Sequence, residues 1–551
     1  MPKTVSGYVR LKVKGPGTLW MDDFLMYRKD ARHVDPLTPG AEVFNELLSA
    51  QPEADKKGVL RYMRRIFDNE APMDTLLRRH WMNPPHSGGF FYTQGYGCFH
   101  MLLEWCLATG DSPATRCPPQ FTLRVEFSEE DWRHLVEYLA GPPDSPYGAV
   151  RTAQRGGNPT PWTDEFREII IELGNESWHN GVIGGWTGYG IYGWVHGCGK
   201  EQGLFAKYFF DEVVGSMPLW RERDLGRKIK FAIDSNSGLG CDNYGETGME
   251  FAKPRNVAYA THTAYVGPQW EYGQQTSSAF TDEGIQACLM ASVANQVVTD
   301  DVAQMRDRIN KACGLSFGNI LYESGASGFD WRNPSNAATE QRYGHSLAMA
   351  VSALDAWLYC SYRGFKDMAL YAMAQGSMWS SHVTGPDDLK DPMRPHPQWL
   401  ALILRDRYAR GTTMLETKDL SMPTIVWEEG WKKKAEKPLI RVYALKDKET
   451  YSVFVLSRKL DGKHNGRDFG DGFTPVAFRL PFAQARKIAL HTLAGDPRSS
   501  NIDKRTLELQ SKELPASVLK GGALVVNSQS GGGDHGMPPG CIYLYVFEGL
   551  E

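Results

Sequence analysis

Between residues 40 and 420 the sequence alternates short apolar runs of strand type with longer amphipathic runs of helical type, and no other feature constrains the fold as strongly. The run from Ile169 to Leu173 is the clearest strand signal, since a strand buried on both faces reads as continuous apolar text. Residues 228–238, 256–265, 315–325 and 368–379 read as further strands, and Leu204 to Val214, 282–313 and 340–360 as helices. At Ser128-Glu129-Glu130-Asp131 a helix start is written out. Trp132, Leu135, Val136 and Leu139 follow at the spacing of one buried face. Strand then helix, repeated, implies a mostly parallel sheet with helices outside it. Polar clusters recur where the strands run out, which is where a (β/α)₈ barrel keeps its chemistry. A doubly wound sheet is the competing architecture, but no Gly-rich phosphate loop follows a first strand.

The flanks differ. Residues 423–551 hold about seven short strand-like runs separated by turn signals and no helical pattern, which reads as an antiparallel β-sandwich. Residues 1–27 alternate like two strands around Pro16-Gly17. Such a pair is unstable alone, so this segment is expected to join a sandwich. The expected fold is therefore α/β: a TIM barrel over 40–420, a carboxy-terminal β-sandwich over 423–551 and a joining strand segment at 1–27. Lys and Arg number 61 against 65 Asp and Glu, a net charge of −4. That balance excludes nucleic acid or an anionic membrane as the main partner, and no apolar run is long enough to span a bilayer. The nine cysteines are scattered without C-x-x-C or zinc-ligand spacing, so they are expected to be small buried thiols, with no metal and no cofactor. The first residues contain no apolar core of a signal peptide.

Two glutamates stand out by context. Glu176 follows the buried strand in IIIELGNESW, beside Asn175, and Glu323 lies in GNILYESG where another apolar run ends. Far apart in the chain, they meet only if the sheet closes. Two carboxyls about 5–5.5 Å apart, one ionised and one protonated, are what a retaining glycoside hydrolase needs. Other acids compete: Glu172 is on the same strand face as Glu176 but deeper, where a buried ion pair suits it, and Asp234 ends a strand where turn capping competes with ligand binding. Glu250, Asp242 and Asp330 read as solvated loop acids. Arg78 and Arg79 could hold a nucleophile's charge or be helix-end cations. His262 lacks the second ligand that a metal site needs. Trp178, Trp186, Tyr189, Tyr192 and Trp194 crowd a glycine-rich stretch, with Trp270 and Tyr272 further on, and flat rings of this kind stack on sugars or pack a loop of their own.

Together these residues resemble clan A of the retaining glycoside hydrolases, in which an Asn-Glu pair ends one barrel strand and a second Glu ends another. The match is to Asn175-Glu176 and Glu323. The resemblance implies that Glu323 is the nucleophile and Glu176 the acid/base. His262 and Tyr265 are similar to the residues that hydrogen-bond the nucleophile, and Trp379 to the ring flooring the cleavage subsite. The spacing of His262 and Tyr265 is one residue longer than in the clan, so one of the two is expected to reach the nucleophile. Within the clan, ELGNE followed by Trp178, the GTLWMDDFLM segment and the trailing sandwich resemble the α-L-arabinofuranosidase family and its endo-acting neighbours. The family's Gly-Gly-Asn near the first strand is replaced by TLLRRHWMNPP at 75–85, and YESGASG replaces its Glu-Trp. Because GTLWMDD-like text closes an upstream sandwich in that family, the chain is expected to lack its natural beginning. Secretion follows if it does, and a cytoplasmic location if it does not. The expected activity is retaining hydrolysis of plant or algal oligosaccharide or polysaccharide, arabinofuranosidase-like. An endo-β-glycanase and a non-catalytic glycan-binding barrel are the alternatives.

Overall fold

The computed structural model describes residues 46–52, 57–62, 73–78, 99–123, 127–175, 199–235, 244–267, 280–326, 337–373, 379–383, 394–419, 421–428, 433–464 and 466–550. The strand segment expected at 1–27 lies outside them.

Among the described residues seven parallel strands form the barrel wall in chain order. They are β1 (Leu60–Tyr62), β2 (Pro119–Leu123), β3 (Ile169–Leu173), β4 (Ile229–Asp234), β5 (Val257–Val266), β6 (Gly318–Ala326) and β7 (Phe365–Met368). Side chains alternate across this wall. Ile169, Ile171 and Leu173 of β3 and Phe231 and Ile233 of β4 face outward, into one core with Trp132, Leu135 and Phe210 from the helices. Ile170, Ala232, Tyr259 and Ile320 face the lumen and plug its amino-terminal end. The helix Glu129–Ala140 begins with a capping box: the Ser128 hydroxyl accepts from the Asp131 amide, and the Asp131 carboxylate accepts from the Ser128 amide.

Two expectations about strands are corrected. Around 75–85, taken as the neighbourhood of the first strand, Met73–Arg78 is a helix, and the first strand is the three-residue β1 ahead of it. Among the described residues the last wall strand is Phe365–Met368, and of the run expected at 368–379 residues 369–373 and 379 lie outside any strand. β7 starts directly after Gly364, whose φ of +84° turns the chain out of the helix Leu347–Tyr362. From there Ala369 and Tyr371 still donate to the Leu321 and Ser324 carbonyls, so the chain runs on beside β6. A cavity of about 280 Å³ separates β1 from β7, lined by Leu60, Arg61, Tyr322, Met368, Leu370 and Trp399 among others.

The carboxy-terminal sandwich packs a six-stranded antiparallel sheet against a three-stranded one. Its edge strand Thr413–Leu415 pairs with Ile440–Asp447 and lies ahead of residue 423. Tyr443, Phe454, Leu456 and Leu544 of the larger sheet share a core with the barrel helix Leu347–Tyr362. At that contact the fully buried Asp355 carboxylate accepts from Arg458, Ser292, Gln296 and Tyr443. Cys106, Cys117, Cys288, Cys360 and Cys541 are buried free thiols. Among the described residues no helix is long and apolar enough to cross a membrane.

Candidate active site

Above the apolar plug the lumen turns polar. One alternation step along the same strands stand Glu172, Asp234, Thr261 and Tyr322, joined by Gln120 and Thr122 from β2, all buried. Arg61 enters this layer from β1. Its Nε and Nη2 donate to the two Glu172 oxygens at 2.7 and 2.9 Å, and its Nη1 donates to Glu323 Oε1 at 3.0 Å. The same Nη2 reaches Asn175 Oδ1 at 2.8 Å and Thr122 Oγ1 at 3.3 Å. The guanidinium lies over the Tyr322 ring, 4.6 Å from its centroid. Gln120 Nε2 donates to Glu172 from the other side. Burial alone would discourage the charge on Arg61, but Glu172 and Glu323 override it and raise the guanidinium above its ordinary range. The cation is therefore permanent.

Glu323 reaches the lumen through a break in register. Ile320 and Tyr322 face inward and Leu321 outward, so strict alternation would turn Glu323 away from Arg61. Between β5 and β6, however, His262 pairs with Leu321 and Thr263 with Glu323, so Tyr322 is skipped. A bulge of this kind lets two successive side chains address one face. Glu323 ends 5% exposed, with Tyr265 Oη donating to its Oε2 at 2.7 Å. Asn175, half-buried just past β3, meets the same layer through Arg61.

His262 and Tyr265 therefore part. His262, three positions before Tyr265, lies on the opposite face of β5, behind the sheet, and does not contact Glu323. Its Nε2 is 2.7 Å from Glu246 Oε1. Glu246, on the helix Tyr244–Ala252, also accepts from Ser235 at 2.6 Å and Asn319 at 3.3 Å. Burial by itself would raise the Glu246 carboxyl. The His262 ring and the Ser235 hydroxyl override it and hold the group below its ordinary value.

Glu176 and Trp178 lie outside the described residues, as do the aromatic stretch to Trp194, Trp270, Tyr272, Arg79, Asp242 and Asp330. Trp379 is half-buried in a turn, not on a strand. Its carbonyl accepts from Ala372 N at 2.7 Å, and its ring centroid is 6.3 Å from that of Tyr371. Asp234 is fully buried, accepting from Thr261 at 3.4 Å. Arg78 ends a short helix and pairs with Asp74 on the surface. Glu250 is helical and pairs with Arg308. Two residues central to this geometry were missed in the sequence: Arg61, whose signal was a lone cation inside the apolar VLRY, and Glu246. Among the described residues no group of three or more His, Cys, Asp or Glu is placed to hold a metal ion.

No family model matches the sequence, and no curated protein sequence matches it. Solved structures do match in fold. The α-L-arabinofuranosidase from Thermotoga maritima, in an arabinose complex, aligns at 13% identity over 95% of this chain and 92% of its own, with a TM-score of 0.60. The GH51 arabinofuranosidase from Xanthomonas axonopodis pv. citri aligns at 15% identity over 92% of this chain and 89% of its own, with a TM-score of 0.63. The family 51 α-L-arabinofuranosidase from Bifidobacterium longum gives 14%, 92%, 89% and 0.62 in the same order. The fold is thus a TIM barrel with a β-sandwich, as in these arabinofuranosidases.

Proposed function

We propose that this chain is a retaining glycoside hydrolase, arabinofuranosidase-like, acting on plant or algal oligosaccharide or polysaccharide with Glu323 as nucleophile and Glu176 as acid/base. The observation that carries the reading is the Glu323 carboxylate, buried at the carboxy end of β6 and gripped by Arg61 and Tyr265. A carboxylate held by a cation on one oxygen and a hydroxyl on the other is aimed, as a nucleophile must be. In the first step a Glu323 oxygen bonds to the anomeric carbon while the bond to the leaving oxygen breaks, and Glu176 gives that oxygen its proton. In the second step Glu176 takes a proton from water, the water oxygen bonds to the anomeric carbon, and the Glu323 ester is released. Arg61 is donor-only, so Asn175 turns its carbonyl oxygen to it, and its amide N–H groups are the donors offered to the sugar 2-hydroxyl. Trp178 and Trp379 supply stacking faces.

The test is a panel of aryl glycosides (α-L-arabinofuranoside, β-D-xyloside, β-D-glucoside) and long polysaccharides, with the product anomer read by NMR. Turnover with retention is expected, falling roughly 10⁴-fold or more in Glu323→Ala. Full activity in that variant refutes the assignment, and no turnover of any substrate favours the glycan-binding barrel. Large oligosaccharide products without release from the aryl arabinofuranoside favour the endo-β-glycanase.

A further inference from the structure

We propose that Glu172 is a positioning residue that limits how much of the Arg61 charge reaches Glu323, and so sets the pH at which Glu323 ionises. The proposal deepens the reading of Glu323 as nucleophile and rests on it. Arg61 presents a planar fork of donors, and a forked pair with one carboxylate is stronger and more directional than a single bond. Glu172 takes that fork, through Nε and Nη2, whereas Glu323 receives Nη1 alone. Gln120 pins Glu172 from β2, so the guanidinium plane is fixed from below and cannot swing toward β6.

The consequence is chemical. A carboxylate gripped by both arms of an arginine is a weak nucleophile, because the charge it must donate is already stabilised. One that keeps a single arm and a tyrosine hydroxyl is oriented but still reactive. Among the described residues, the ionisable groups around this pair can be named element by element, and Asp406, which lines the cavity beside Arg61, is paired with Arg405. β1 supplies Arg61, β5 supplies Tyr265, and β6 supplies Glu323 itself with Tyr322 beneath the guanidinium. β4 supplies Asp234, bonded to Thr261 of β5, while β2 supplies only the uncharged Gln120 and Thr122. His262 and Glu246 pair behind the sheet. Glu172 is thus the group that shares Arg61 with Glu323.

The experiment needs no substrate. Thermal midpoints of the full chain are measured from about pH 3 to pH 8 for wild type, Glu323→Gln, Glu172→Gln and the double variant, and the difference within each pair isolates the titration of Glu323. With Glu172 neutral, Arg61 turns its fork to Glu323, and the titration midpoint is expected to move down by about one pH unit. The acid limb of kcat/KM on whichever aryl glycoside the wild type cleaves should move the same way. Glu172→Asp, which withdraws the carboxylate by one methylene, should give a smaller shift in the same direction. A midpoint that stays or rises in folded Glu172→Gln overturns the proposal, as does failure of both variants to fold, which assigns Glu172 to stability alone. If the wild type cleaves nothing, the hydrolase reading fails while the difference curves still decide this one.

Discussion

Replacing Arg61 by Met tests whether the lumen layer works as a balanced charge cluster. Among the described residues Arg61 carries the one positive charge bonded to Glu172 and Glu323, and its side chain is 5% exposed. Met keeps most of the stem volume and removes the charge. Two carboxylates then remain, with side chains 0% and 6% exposed, held by Gln120 and Tyr265. Breaking a buried pair from one side costs about 3–5 kcal/mol, most of it the uncompensated charge left behind. Unfolding entropy of ~2.1 cal/mol/K per residue over the roughly 350-residue barrel gives ~0.7 kcal/mol/K, so the thermal midpoint should fall by about 4–7 °C at neutral pH. If orphaned charge is the cause, adding Glu172→Gln must recover part of the loss, because it removes one carboxylate while keeping an oxygen for Gln120 to donate to. The double variant should regain about 2 kcal/mol over Arg61→Met alone, a coupling within the range measured for contacting residues. Scanning calorimetry of the four proteins closes the cycle. A double variant no more stable than Arg61→Met would mean the cost is lost packing against Tyr322, and the charge argument would fall.

Two further predictions follow from the packing. Burial alone would raise the Asp355 carboxyl, but Arg458 and Arg441 override it and hold it below its usual range. A depressed carboxyl gives stability that is fully present above the unfolded value of ~3.9 and is lost as pH falls through the folded one. Asp355→Asn should therefore lower the thermal midpoint at pH 7 and flatten its decline below about pH 4; an unchanged acid slope refutes this. Gly203 lets two helices touch backbone to backbone, since a Cβ there would sit 2.3 Å from the Gly248 carbonyl oxygen. Gly203→Ala should destabilise by about 1–3 kcal/mol in urea unfolding, and a neutral result would show that the helices can separate freely.

What the sequence disclosed, and what it hid, follows from how far each signal reaches. The run Ile169–Leu173 and the Ser128–Asp131 box declare themselves because strand burial and helix capping are local, decided within a few residues. β7 was misplaced because Lys366 and Asp367 interrupt its apolar text, while residues 369–373 follow the strand rather than form it. β1, three residues long, is too short for any period to register, and so the guanidinium at the centre of the site went unread. The motif paired Tyr265 with His262 and its longer spacing left room for one of them at the nucleophile, but not which; a three-residue offset puts the two on opposite faces of a strand. Glu246 gave no sign at all, because its partners Ser235, His262 and Asn319 come from three separate segments.

The least legible feature is also the one on which the site turns. Nothing in GNILYESG announces that Tyr322 will be skipped in pairing with β5; the skip depends on how two strands distant in sequence are laid side by side. Without it, Glu323 would face the outer helices, where Leu321 already sits in the core. A buried ion cluster seldom adds net stability over an apolar packing of the same volume, so Arg61 and Glu172 are hard to explain as structural cement for a lumen that is plugged with apolar side chains one layer below. On the proposed reading their value lies in direction. The two side chains are 5% and 0% exposed, burial strengthens each of their bonds, and the carboxylate that the bulge delivers is met by a donor already held by Glu172.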